Sequence, residues 1–128
     1  MKRLILLVED NEELLQVSQR ALEFHGYQVA VAKNGLEAVK LATSQLPDAI
    51  LMDLYMPEMD GLEATCRIRS DSRTKDIPIV ATTASARAGE QERCLAVGCN
   101  DYLQKPYTYP ELTAAIRKAL EERESKVA

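Results

Sequence analysis

The stretch LMDLYMPEMDG, residues 51–61, decides the fold of this chain. An apolar run over residues 49–52 predicts a buried strand, and a carboxylate, Asp53, follows it directly. A Met-Pro turn comes next, and Asp60-Gly61 then opens a new helical segment. A carboxylate at the end of a buried strand is unfavourable unless other groups pair with it. We therefore expect the rest of the chain to supply partners for Asp53.

Strands and helices alternate outward from this stretch. Apolar or β-branched runs predict five strands, over 3–8, 27–32, 48–53, 77–82 and 100–104. Amphipathic segments with capping signals predict five helices, which begin near Asn11, Asn34, Asp60, Arg87 and Tyr109. Such alternation indicates a doubly wound α/β domain with a parallel sheet and helices on both faces. We expect the last helix to end near Glu122 and residues 124–128 to form a frayed tail.

The composition limits the functions open to the chain. Its 128 residues fit one domain, and no apolar run is long enough to span a bilayer. The net charge of −4 argues against non-specific binding to nucleic acid or to an anionic membrane. The three cysteines, Cys66, Cys94 and Cys99, are too few and too irregularly spaced for a disulfide framework. Reduced cysteines indicate a reducing compartment, so we expect a cytoplasmic protein.

Polar side chains stand where four of the predicted strands end. Because the carboxyl ends of parallel strands share one edge of the sheet, we expect these side chains to line a common crevice. Strand alternation allows only one of two consecutive threonines to face that crevice. The residues are the acids Glu9, Asp10 and Asp53, the hydroxyls of Thr82 and Thr83, and the amine of Lys105.

This set of side chains favours phosphoryl transfer to an aspartate. Three clustered carboxylates repel one another unless a cation lies among them, and oxygen ligands without histidine favour Mg²⁺. A lysine and a hydroxyl opposite the metal would hold an anion, so Asp53 is a candidate nucleophile. The chain lacks a GxxxxGK[ST] loop and a GxGxxG motif after the first strand, which argues against nucleotide binding in those forms.

Four motifs carry a family resemblance. They are LLVEDN at 6–11, LMDLYMPEMDGLEA at 51–64, IPIVATTA at 77–84 and GCNDYLQKPY at 98–107. Over essentially its whole length the chain resembles the receiver domain of two-component response regulators, of the single-domain or hybrid-kinase kind. The resemblance implies a receiver domain over residues 1–123. It also implies a flavodoxin-like (βα)5 fold with strand order 2-1-3-4-5.

The resemblance also implies roles for the acids of the crevice. Asp53 matches the phosphoacceptor, which takes a phosphoryl group from a phosphohistidine on a sensor histidine kinase or phosphotransfer protein, or from a small phosphodonor. Glu9 and Asp10 match the acidic pair that binds Mg²⁺ together with Asp53 and the backbone carbonyl of Tyr55. Glu9 is expected to act through a water.

The remaining matched residues are expected to bind the phosphoryl group and to respond to it. Thr83 matches the hydroxyl that bonds the phosphoryl group, and its selection over Thr82 rests on the resemblance alone. Lys105 matches the ammonium that pairs with Asp53 before transfer and with the phosphate afterwards. Tyr102 matches the switch aromatic whose ring turns inward when the Thr83 hydroxyl moves. The Lys105-Pro106 peptide bond is expected to be cis.

The predicted function is therefore a phosphorylated switch module with slow autodephosphorylation, not a turnover enzyme. Its expected partners are the phosphodonor protein and an unknown downstream protein, with no direct nucleic-acid contact and no membrane insertion. A Mg²⁺-dependent aspartate-nucleophile phosphatase is the enzyme alternative, although Tyr55 stands where such enzymes usually carry a second Asp. A receiver excised from a longer hybrid kinase or regulator is another. A pseudo-receiver would usually lack an acid or the lysine, and this chain has them all.

Two positions that vary in such domains flank the acceptor. They are Tyr55, two residues after Asp53, and Ser85, two residues after Thr83. Side chains at these positions are expected to lie over the path of an attacking water. We expect the bulky Tyr55 to shield an acyl phosphate and to slow its hydrolysis.

Overall fold

The computed structural model describes residues 2–56, 58–84 and 88–127, except for the side chains of residues 126 and 127. Strands and helices alternate strictly along these residues. The elements are β1 (Leu4–Val8), α1 (Glu12–Phe24), β2 (Gln28–Ala32), α2 (Gly35–Gln45), β3 (Ala49–Asp53), α3 (Gly61–Ser70), β4 (Ile79–Thr83), α4 (Glu90–Ala96), β5 (Asp101–Gln104) and α5 (Tyr109–Val127).

The strands form one parallel sheet in the order β2-β1-β3-β4-β5. This order confirms the predicted doubly wound, flavodoxin-like topology. The central strand is β3, and all five of its residues are buried, including the terminal Asp53. Its position between β1 and β4 brings polar residues that follow those strands next to Asp53.

Each face of the sheet is covered by its own helices. One hydrophobic cluster joins alternate strand residues, such as Leu6 and Met52, to α2, α3 and α4. The other joins the intervening residues, such as Ile5 and Leu51, to α1 and α5. Because both faces are buried, the central strands must be apolar along their length. Polar side chains are therefore accommodated chiefly where the strands end.

In the described part of the chain, four helices are preceded by a residue whose side chain accepts a hydrogen bond from a backbone N–H of the first helical turn. These bonds are 2.9–3.2 Å long. They satisfy N–H groups that have no partner inside the helix, and they confirm the capping signals found in the sequence. The capping residues are Asn11, Asn34, Asp60 and Thr108.

Helix α4 is shorter than predicted. It begins at Glu90 and ends at Ala96, whereas the sequence pattern places its start near Arg87, which lies outside the described residues. Gly89 precedes the helix with a φ of 83°, in the left-handed region. A right-handed helix cannot continue through that conformation, so α4 starts one residue later.

Helix α5 is longer than predicted. The expected frayed tail, 124–128, overlaps a helix that continues through Val127. Contacts hold this end against the sheet: the Arg123 guanidinium donates to the carbonyl oxygens of Pro47 and Asp48 at 3.2 and 3.1 Å. Glu124 forms an ion pair with Arg3. These tertiary contacts stabilise a helical end whose sequence alone suggested fraying.

Gly61 allows α3 to start directly beneath the end of β3. Its N–H donates to the carbonyl oxygen of Leu54 at 2.9 Å. A Cβ at this position would overlap the backbone carbonyl of Asp53. The Asp60-Gly61 pair therefore combines a helix cap with a close backbone approach that only glycine permits.

We predict that Gly61→Ala destabilises the protein by about 1–3 kcal/mol, because the added methyl group must displace backbone atoms of Asp53 and Leu54. Urea unfolding would measure the loss. The control is Cys66→Ala, at an exposed position of the same helix. We expect the control to stay within about 0.5 kcal/mol of the wild type. Equal stability of the two variants would contradict the close-packing argument.

Candidate functional site

An open cleft lies at the carboxyl edge of the sheet. Strand β1 pairs with β3 and leads into Glu9, while β3 ends at Asp53. Lys105 follows β5, and its backbone N–H donates to the carbonyl oxygen of Thr83 at 2.8 Å. The topology thus brings together side chains that lie far apart in the sequence. The described residues that line the cleft are Glu9, Asp10, Asn11, Asp53, Tyr55, Ala84 and Lys105.

Three carboxylates meet in this cleft. Oxygen atoms of Glu9, Asp10 and Asp53 lie within 4.8 Å of one another. Glu9 and Asp53 are almost fully buried, at 2% and 4% exposure, whereas Asp10 is exposed. The cluster predicted from the strand ends therefore exists, with two acids inside the protein and one at the rim.

Lys105 bridges the two buried acids. Its Nζ lies 2.7 Å from Glu9 Oε1 and 3.3 Å from Asp53 Oδ2. The resemblance predicts a pair between Lys105 and Asp53, and the structure adds a shorter contact with Glu9. Glu9 also accepts the N–H of Asn11 at 3.1 Å. Both oxygens of Glu9 thus have partners within the protein.

The electrostatics of the cleft favour a proton on Asp53. Burial, followed by the negative charge of Glu9, raises the pKa of Asp53 to about 7, although Lys105 partly opposes the shift. Burial lowers the pKa of Lys105, but the hydrogen bond and charge of Glu9 and the charge of Asp53 outweigh it, so the net shift is upward. Lys105 therefore stays positively charged. Its single charge does not fully offset the negative charges of Glu9 and Asp53.

The cluster suits a divalent cation. All its side-chain donors are oxygens, and Asp10 stands at the open rim where an ion would enter. Mg²⁺ prefers such ligands and retains several waters. Glu9 already has partners on both oxygens, which fits a contact through water better than a direct one. The Tyr55 N–H lies 3.4 Å from Asp53 Oδ1, so the Tyr55 backbone adjoins the Asp53 carboxylate.

The two threonines at the end of β4 differ in their placement. Thr82 is the register partner of Asp53, so its side chain lies on the Asp53 face of the sheet. Thr83 lies on the opposite face and is completely buried. Among the described residues the cleft is lined by Ala84, the next residue, and not by Thr83. The predicted phosphoryl contact of Thr83 stays a prediction.

Tyr102 shares the Thr83 face of the sheet. It is the register partner of Ala81 and packs, partly buried, against the cluster under α2, α3 and α4. Burial, and then the negative charge of Glu90, raises the pKa of its hydroxyl. The Lys105-Pro106 peptide bond is cis, as expected. A switch role for Tyr102 stays a prediction.

Tyr55 makes a contact that the sequence analysis missed. Its hydroxyl donates to Glu90 Oε1 at 2.5 Å, although the two residues are 35 positions apart. Glu90 is 3% exposed and is the first residue of α4. It stands in a polar run, AGEQER, that resembles a solvent-exposed helical face, so no local signal marks it. Ser85, the other predicted flanking position, lies outside the described residues.

The fold and the cleft together define a flavodoxin-like α/β domain with an acidic, lysine-containing site at the carboxyl edge of its sheet. Residues 5–117 match the response regulator receiver domain. The chain therefore belongs to the family of response regulator receiver domains, modules of two-component signalling.

Similar proteins cover almost the whole chain. The polar-differentiation response regulator DivK of Brucella anthropi is 38% identical over 120 residues, which are 94% of this chain and 98% of DivK. The receiver domain of the sensor histidine kinase PA1611 from Pseudomonas aeruginosa PAO1 is 40% identical, with a TM-score of 0.88 over 94% of this chain and 99% of that domain. Its structure has a magnesium ion coordinated in the active site cleft.

A third relative shows how closely the backbone is shared. The CheY-like receiver domain protein from Methanospirillum hungatei JF-1 superposes with a TM-score of 0.92 at 25% identity, over 98% of this chain and 99% of that protein. Among the described residues, no helix is both long and apolar enough to cross a membrane.

We predict that Asp53→Asn stabilises the metal-free protein at pH 8, by on the order of 1–3 kcal/mol. The folded-state pKa of Asp53, about 7, exceeds the ordinary value of 3.8. Between pH 3.8 and about pH 7, Asp53 is therefore protonated in the folded protein but ionised in the unfolded chain. The wild type loses stability as the pH rises through this range. The gain from Asn should therefore be full above pH 7 and vanish near pH 4.

Thermal or urea unfolding in EDTA at several pH values would measure this gain. Glu13→Gln, which removes an exposed acid of α1, is the matched control and should show no comparable trend. A stabilisation by Asn that stays constant from pH 4 to pH 8 would contradict the protonation argument.

Proposed function

We propose that this chain is a phosphoacceptor module in which Asp53 takes a phosphoryl group from a phosphohistidine. The donor would be a sensor histidine kinase or a phosphotransfer protein, or in vitro a small phosphodonor. One observation carries the proposal: a buried aspartate, with a lysine 3.3 Å away and two further acids beside it, opens onto a cleft. Membership of the receiver family agrees with it.

The residues of the cleft would each have a separate role in phosphoryl transfer. A carboxylate oxygen of Asp53 attacks phosphorus, the P–N bond to the donor histidine breaks, and that nitrogen keeps the electron pair. Lys105 would shift from Asp53 towards the new phosphoryl oxygens, to which its charge is strongly attracted. Mg²⁺, held by Asp10, Asp53 and the Tyr55 carbonyl, with Glu9 acting through water, would offset the negative charge on the phosphoryl oxygens.

The output would depend on the Thr83 and Tyr102 pair. Tyr102 packs on the face of the sheet covered by α2, α3 and α4, and strand alternation assigns Thr83 to the same face. A phosphoryl group on Asp53 would draw the Thr83 hydroxyl towards the cleft, and Tyr102 would move into the space it leaves. This rearrangement would alter a protein-binding face and so reach a downstream partner, in the cytoplasm, without contact with nucleic acid.

A signalling role fits better than a phosphatase role. Aspartate-nucleophile phosphatases usually place a second Asp two residues after the nucleophile, as a general acid. Here Tyr55 holds that position, and its hydroxyl is committed to Glu90. The relatives include both a response regulator and a receiver domain of a sensor kinase, so the proposed chemistry suits a separate protein and a module of a larger one.

We predict that acetyl phosphate with Mg²⁺ adds one phosphoryl group to the protein, at Asp53. Intact-mass measurement would detect it, and borohydride reduction followed by peptide mapping would locate it. EDTA should abolish the modification, because the acidic cleft then repels the donor. Asp53→Ala should abolish it, whereas Glu13→Gln should not. Modification of another residue, or of the Asp53→Ala variant, would overturn the assignment. Continuous phosphate release over many turnovers would favour the phosphatase.

We also predict that Tyr55→Asn shortens the lifetime of the phosphoprotein several-fold, since a small side chain leaves the acceptor open to water. The measurement is the decay of purified phosphoprotein at constant Mg²⁺ and pH. Phe24→Asn, which changes an aromatic residue of α1 that is 86% exposed, serves as the control. Equal lifetimes for Tyr55→Asn and the wild type would refute shielding.

A further inference from the structure

The hydrogen bond between Tyr55 and Glu90 joins the residues that directly follow Asp53 to helix α4. Tyr55 lines the cleft and is 42% exposed, whereas Glu90 is 3% exposed. The hydroxyl–carboxylate distance is 2.5 Å, at the short end of the range for charge-assisted O–H···O⁻ bonds. A half-exposed side chain is thus tied at its tip to a buried group of another element.

This bond restricts the Tyr55 ring. A hydrogen bond at the tip of the ring opposes exchange between rotamers, which would otherwise be favoured by entropy. The buried carboxylate in turn needs a donor, since an unpaired buried charge is strongly unfavourable. Each group therefore gains from the other, and the ring is held in one orientation.

The base of the same side chain adjoins the acceptor. The Tyr55 N–H lies 3.4 Å from Asp53 Oδ1, so the ring leaves the backbone immediately beside the carboxylate. The loop around it is also anchored: the Leu54 N–H donates to the Thr82 carbonyl at 3.0 Å. With its base fixed by this backbone and its tip fixed by Glu90, the ring keeps its position relative to Asp53.

Glu90 also interacts electrostatically with the predicted switch residue. Its charge contributes to the raised pKa of the Tyr102 hydroxyl, after the larger effect of burial. Glu90 therefore interacts with both Tyr55 and Tyr102. A displacement of α4 would act on both.

We propose that Glu90 is a positioning residue which, by accepting the Tyr55 hydroxyl, holds the ring beside Asp53 and thereby sets the lifetime of the aspartyl phosphate. The inference rests on the proposed phosphorylation of Asp53. In the hydrolysis, a water oxygen bonds to phosphorus and the P–O bond to Asp53 breaks. The Asp53 carboxylate is regenerated, and both water protons leave on the inorganic phosphate. Any partner that displaces α4 would release the ring and shorten the signal.

The test compares the first-order decay of purified phosphoprotein among five variants. Tyr55→Phe removes only the hydroxyl, and Glu90→Ala removes only the acceptor. Each should speed hydrolysis about three- to ten-fold, the range that corresponds to loss of one hydrogen bond. The double variant should decay no faster than either single one, because both changes remove the same interaction.

Two further variants separate positioning from a general structural effect. Glu90→Gln keeps an oxygen that can accept the hydroxyl and should restore most of the wild-type lifetime. Glu92→Ala removes an exposed acid two residues after Glu90 on the same helix, and it should leave the lifetime unchanged. Tyr55→Phe removes only the hydroxyl of a side chain that is 42% exposed, so its result does not depend on whether Glu90→Ala folds well.

The possible outcomes test the role of Glu90 separately from the proposed phosphorylation of Asp53. Unchanged lifetimes in Tyr55→Phe and Glu90→Ala, additive effects in the double variant, or a Glu90→Gln variant that decays as fast as Glu90→Ala would each overturn the role of Glu90. In those cases Asp53 is still phosphorylated, and the proposed function stands. Failure of the wild type to take up a phosphoryl group would instead remove the proposed function, and the role of Glu90 with it.

Discussion

The contact of one buried ammonium group with two buried carboxylates governs the rest of the site. Lys105 lies 2.7 Å from Glu9 and 3.3 Å from Asp53, and all three side chains are largely withdrawn from water. Burial raises the pKa of Asp53 to about 7, and the negative charge of Glu9, which the single ammonium group offsets only in part, adds to the shift. The cleft therefore attracts a further cation, and a cation in turn allows a phosphoryl anion to approach an aspartate.

The fold creates this imbalance and keeps it in place. Helices cover both faces of the sheet, so charged side chains cannot enter the apolar strands except where these end. Strand order places the ends of β1 and β3 side by side, with Lys105 reaching them from beyond β4. Gly61 lets α3 close beneath Asp53 without displacing it. The packing of the elements thus fixes the positions of a few polar atoms as well as forming the core.

Particular residues show how far sequence reasoning reaches. Asp53, Glu9, Asp10 and Lys105 were accessible because each follows an apolar run, and a parallel sheet must bring such ends together. The helix caps were equally visible, since a cap acts within four residues. The boundaries of α4 and α5 were wrong by a few residues, because a left-handed glycine and the contacts of Arg123 outweigh local propensity.

By itself, the sequence determined the order of the elements, the two-sided core and the identity of the acidic cluster, because these follow from hydrophobic periodicity and strand ends. Only the tertiary structure decided that Lys105 contacts Glu9 as well as Asp53, and that Tyr55 forms a hydrogen bond with Glu90. It also decided on which face of the sheet Thr83 lies. These features depend on the distances between residues that lie far apart in the chain. No local pattern encodes such distances, because they arise only when every element is packed against the others.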